Sequence, residues 1–120
     1  MLGGSPVVCA RQVSSHDLVS QRADELAQLV YRLTWKFFQN DAMLAQSMRS
    51  AAITIAMKIA SSQPPVTPRA RRAMDAATAA LAELGYSGHL ARRLGLLTET
   101  DLRRMQALHA QVRAAIDASC

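Results

Sequence analysis

The chain has 120 residues, half of them hydrophobic but only 4% aromatic, a length that suits one domain with a sizeable core. The apolar mass is Ala, Leu, Ile, Val and Met, with five Gly and four Pro, which favours helices and excludes a sandwich full of turns. A net charge of +5, with twelve Arg and two Lys, suits an anionic partner such as nucleic acid.

The opening "MLGGSPVVCARQVSS" lacks the basic start and long apolar core of a signal peptide, and residues 1–14 read as a flexible N-terminal arm. No uncharged apolar run reaches 18 residues, so no membrane span is expected. Cys9 and Cys120 lie near opposite ends with no CxxC or Cys/His metal spacing. They make no disulfide framework, and a reducing cytoplasm is the expected location.

The first periodic segment is "SSHDLVSQRADELAQLVYRLTWKFF". Leu26, Leu29, Val30, Leu33 and Phe37 form one stripe of a helix predicted over 15–38. Ser14 or Ser15 is the expected N-cap, with Asp17 favourable to the helix dipole. Trp35 reads as a half-buried boundary residue.

Asn40 or Asp41 then caps a second helix, predicted over 41–62. Its core, "SMRSAAITIAMKIASS", is nearly all small or apolar. On a helical wheel Ser47, Ser50, Thr54, Lys58 and Ser61 form one narrow polar stripe. Met48, Ala52, Ile55 and Ile59 make one apolar face; Ala45, Ile53, Ala56, Met57 and Ala60 make a second, with Arg49 among them. An arc this broad predicts a helix contacted on at least two sides. The absence of period-two alternation excludes a strand.

"SSQPPVTP" ends that helix, and Pro68 suits the first turn of a third behind Thr67. This third helix is predicted over 68–94. Gly85 and Gly88 leave open whether it runs on or stops at Leu84 and restarts after Ser87. Gly95, after Arg92 and Arg93, has the position of a C′ glycine. Thr98 with Asp101 has the shape of a capping box, opening a fourth helix over 98–118 through Leu102, Met105, Val112 and Ile116. The expected fold is all-α, an up-down antiparallel four-helix bundle over 15–120.

No catalytic site is expected. His16, His89 and His109 are far apart in sequence, and no nucleophile-elbow, P-loop or zinc-protease pattern occurs. Asp75 and Glu83 share a face of the third helix without the Glu-x-x-His of a di-metal bundle, so neither metal nor cofactor is expected. The basic residues are more informative. Residues 63–97 carry Arg69, Arg71, Arg72, Arg92 and Arg93 against Asp75 and Glu83. "RARR" at a helix start opposes the dipole, whereas Arg92 and Arg93 at the helix end agree with it. These five arginines are the candidate nucleic-acid contacts.

"LVYRLTWKFF" followed by "MRSAAITIAMKIASS" resembles the small bacterial four-helix-bundle family named for the 23S rRNA intervening sequence. There the usual text is a "vYxLTxxFP" helix end and then "QIRRAAxSIPxNIAEG". Tyr31, Leu33, Thr34 and Phe38 match the first; Met48, Arg49, Ala51, Ala52, Thr54, Ile55, Ile59 and Ala60 match or conservatively replace the second. "LAELGYSGHLARRLGLL" resembles the family's "ELxxxLxxAxxLGYL" through Glu83, Leu84, Leu90, Ala91, Leu94 and Gly95. The chain departs from the pattern at Ser47, Ala56, Lys58 and Ser61–Ser62, where the family has Gln, Pro, Asn and Glu-Gly.

The resemblance covers residue 16 to the C-terminus and favours a continuous third helix. It implies assembly into a homopentameric ring. A related group implies a role as accessory protein to a retroelement, binding a reverse transcriptase and nucleic acid. A ring also gives the second apolar face of the second helix something to pack on. The expected subunit contacts are therefore Ala45, Arg49, Ile53, Ala56, Met57 and Ala60. Two functions are expected from this: an oligomeric, non-enzymatic binder of RNA or DNA, or an adaptor for a partner enzyme such as a reverse transcriptase.

Overall fold

The structure is a computed structural model that describes the backbone of residues 4–64 and 66–118 and the side chains of 16–64 and 66–118. It is all-helical, with four helices and no strand among the described residues: α1 (Gly4–Trp35), α2 (Ala42–Ala60), α3 (Pro68–Arg93) and α4 (Glu99–Ala118). Cys9 and Cys120 lie outside the described side chains. No helix among the described residues is long and apolar enough to cross a membrane.

Consecutive helices pack on each other and α4 closes on α1, while the backbones of the diagonal pairs stay farther apart among the described residues. Three cross-links tie the helices together, and the first two show opposite directions for the pairs they join. His16, well inside α1 and some twenty residues before its end, meets Ile59 at the end of α2. Lys36, just past α1, meets Asp101 in the first turn of α4. His109 in α4 meets Leu81 in the middle of α3.

The helix ends follow the local chemistry. Asp41 caps α2 by accepting from the Leu44 amide at 3.0 Å, and Thr67 caps α3 by accepting from Ala70 at 3.0 Å, with Pro68 behind it. The Thr98 hydroxyl accepts from the Asp101 amide at 3.0 Å. These side chains satisfy amide donors that the first helical turn leaves without a partner. Gly95, at φ 76°, ends α3. Its amide bonds to Arg92 and the Leu96 amide to Ala91, the paired closure that a left-handed residue permits.

Two boundaries differ from the sequence reading. The helical backbone of α1 already runs through Ser14 and Ser15, so neither is its N-cap, and it extends across positions assigned to an arm. At the other end α1 stops at Trp35 rather than residue 38. There the amides of Lys36 and Phe37 bond three residues back, to Leu33 and Thr34, tightening the chain into the turn that delivers Asp41.

α3 is one continuous helix through both glycines. A Cβ on Gly88 would collide with the Met105 terminal methyl, and one on Gly85 would lie 3.2 Å from His109 Nε2. The glycines therefore mark where α4 comes closest to α3, not a break. The missing Cβ also lets His109 donate to the Leu81 carbonyl at 2.7 Å.

The predicted α1 stripe is buried throughout, as are Met48, Ala52, Ile55 and Ile59 of α2. Removing each large aliphatic side chain from water stabilises the fold by about 1.5–3 kcal/mol before entropy is counted. Small residues from two helices, including Ala51, Ala52, Ala77 and Ala80, belong to the same core.

Candidate interaction surfaces

The second apolar face of α2 divides in two. Ala45 is fully buried inside the chain, so it belongs to the core and is unavailable to a neighbouring subunit. Ala56 is half-buried against the core, while Ile53, Met57 (64% exposed) and Ala60 face outward. The polar stripe is exposed as expected apart from Thr54, which is half-buried.

Arg49 joins this face to α1. Its Nε–H donates to the Thr34 hydroxyl at 2.7 Å, and Nη2 donates to the Tyr31 carbonyl at 3.3 Å. The Thr34 hydroxyl in turn donates to the Val30 carbonyl at 2.7 Å. The guanidinium carbon sits 4.5 Å from the Tyr31 ring centroid and 4.9 Å from that of Phe38, within the range of a cation–π contact on both sides. Arg49 is thus held at the head of the α1–α2 groove by two rings and two oxygens.

Around it lie three adjoining surface grooves. One is lined by Tyr31, Gln46, Arg49 and Ile53 among others, one by Tyr31, Arg32, Trp35 and Arg49, and one by Trp35, Lys36, Phe38 and Asn40. Trp35 is not half-buried but 77% exposed. As α1's last residue it lies about 200° round the helix from Leu33, on the face opposite the buried stripe, and the turn that follows leaves it exposed. The convergence of Tyr31, Trp35 and Phe38 on Arg49 was not legible in the sequence; a run of aromatics beside a basic helix is its only local signal.

The arginines form two groups at opposite ends of α3. Arg69, Arg71 and Arg72 are exposed at its start, with no carboxylate at ion-pair distance among the described residues. Arg92 and Arg93 are exposed at its end. Across the short turn the first turns of α4 carry the exposed Arg103 and Arg104, and Glu99 links Arg103 to Arg92, a grouping that sequence reading did not make. Acids temper this second group: Glu99 is 3.8 Å from Arg92 and 2.7 Å from Arg103.

At the same end Asp101, only 5% exposed, accepts from Lys36 at 3.1 and 3.3 Å. Burial alone pushes its carboxyl up. Hydrogen bonds from Lys36 and Thr98 and the Lys36 charge outweigh burial and hold it below the ordinary carboxylate value.

The histidines have structural partners: His16 is buried and donates to the Ile59 carbonyl at 2.8 Å, and His89 pairs with Gln106 at 3.3 Å on the surface. Asp75 and Glu83 are both exposed on α3. Among the described residues no three His, Cys, Asp or Glu side chains are grouped to hold a metal ion.

One protein-family model, described as 23S rRNA-intervening sequence protein, matches the chain over residues 16–118. No curated protein matches it.

Proposed function

The chain belongs to the 23S rRNA-intervening sequence protein family, and from that premise we propose that it is a non-enzymatic oligomeric protein that binds RNA or DNA non-specifically through its arginine clusters. The observation that carries this reading is the group Arg69, Arg71 and Arg72, exposed and without ion-pair partners among the described residues. A second basic group, Arg92, Arg93, Arg103 and Arg104, lies at the far end of α3. Clusters at both ends of one helix suit contact with a phosphate backbone rather than with base edges.

Assembly multiplies this charge. The outward strip of Ile53, Met57 and Ala60, beside the half-buried Ala56, is the surface by which copies of the chain pack in a closed ring, a homopentamer on the family resemblance. Repeated weak phosphate contacts on one ring then act together. The protein would work in the cytoplasm.

The test is fluorescence anisotropy with labelled RNA and DNA duplexes over a salt series. Log affinity is expected to fall linearly with log salt, and the triple variant Arg69→Ala, Arg71→Ala, Arg72→Ala to flatten that slope. Binding that ignores salt, or no binding at all, rejects the reading. Should the protein instead prove monomeric and recover one protein after nuclease treatment, the exposed strip is the docking surface of an adaptor for a partner enzyme, such as a reverse transcriptase.

A further inference from the structure

We infer that the end of the α1–α2 groove around Trp35 is a stacking site for the bases of single-stranded nucleic acid; the inference rests on the nucleic-acid reading above and names the strand form and the site. Trp35 is the chain's single tryptophan and exposes 77% of its surface. An indole left in water at the end of a helix has no packing role that explains it, and bases of every sequence stack on such a face.

Charge selects the occupant. The two grooves that Trp35 lines hold Arg32, Lys36 and Arg49 and no carboxylate. Asp101 binds Lys36 from behind, buried, while the lysine side chain remains 56% exposed. Arg49 is fixed by Thr34, Tyr31 and Phe38, and its other N–H groups have no protein partner among the described residues. A cation held in place beside an exposed aromatic face is the pairing that a base and its phosphate require: the ring takes the base, the guanidinium the phosphate. A duplex keeps its bases stacked on each other and has none to offer, so the site discriminates by strand form. Met57 and Ala60 of the apolar strip lie farther along α2 than Arg49 and line none of these grooves, leaving room for a subunit contact there while Trp35 stays open.

Trp35 emission reports on this site alone. Oligo-dT is expected to quench it, whereas a duplex bound at the arginines leaves it unchanged. Trp35→Ala is expected to weaken oligo-dT binding roughly tenfold and Trp35→Phe much less, with duplex affinity unaltered in both; circular dichroism checks that each variant folds. Oligo-dT that binds without quenching, and equally well to Trp35→Ala, overturns the inference and leaves the arginine reading intact. A fall in assembly mass on Trp35→Ala overturns it too, making Trp35 a subunit contact. If neither oligo-dT nor duplex binds, both readings fall together.

Discussion

Arg49 donates its Nε–H to the Thr34 hydroxyl across 2.7 Å, tying α2 to the last turn of α1 through a side chain with no access to solvent. Thr34→Val keeps the shape but removes the acceptor. Arg49 is half-exposed and regains water on part of its guanidinium, so the expected loss is about 1 kcal/mol. Urea denaturation checks it: the midpoint falls while the slope stays constant. An unchanged midpoint would show that the two rings and the Tyr31 carbonyl hold the arginine without the hydroxyl.

The Lys36–Asp101 pair makes stability depend on acid. Asp101 has a folded pKa below its unfolded value of 3.8, so its contribution is complete above that value. It is lost as the pH falls through the lower folded value. Lys36→Met removes the lysine's hydrogen bond and charge and leaves only Thr98 to oppose burial, so the carboxyl protonates at higher pH and the acid loss of stability begins earlier. Asp101→Asn is expected to flatten the dependence in this range. Thermal midpoints of the three proteins across the acid range decide the matter; coincident curves would refute the role of the pair.

Gly88 and Met105 set the closest approach of α3 and α4. Gly88→Ala displaces only the mobile end of Met105 and gains helix propensity, so it is expected to be tolerated. Gly88→Val brings two further methyls against Met105 and Leu102 Cδ1, which lies 3.4 Å from the added Cβ. It is expected to cost about 2 kcal/mol. Equal stability of the valine and alanine variants would mean that α4 moves away freely.

Met57 tests the assembly. Because 64% of its surface is exposed in the single chain, Met57→Glu leaves the core intact. It is expected to lower the mass measured by light scattering toward that of one chain, 13.0 kDa, with helicity retained. An unchanged multiple of that mass rejects this face as the subunit contact.

The chain order of its residues determined most of the fold. Period-3.6 stripes such as Leu26–Leu29–Leu33 declare which face of a helix is buried. Asp41, Thr67, Thr98 and Gly95 act on amides and carbonyls a few residues away, so capping is decided locally and is legible without a structure. The family resemblance through Tyr31, Thr34, Arg49 and Ala52 was legible for the same reason, as a run of adjacent letters that the matched family model covers.

What only the tertiary structure decided involves groups far apart in sequence. Whether Gly85 and Gly88 break α3 depends on what packs there, and the answer is side chains from α4. A wheel puts Ala45 and Met57 on one apolar face of α2, yet one is enclosed and the other exposed. A helix considered alone carries no information on where its neighbours end. Lys36 and Asp101 are 65 positions apart, and Arg49 meets the Tyr31 and Phe38 rings only because a tight turn reverses the chain. Periodicity states that a face is apolar; which partner covers it, or leaves it to water, is settled by the packing of the other three helices.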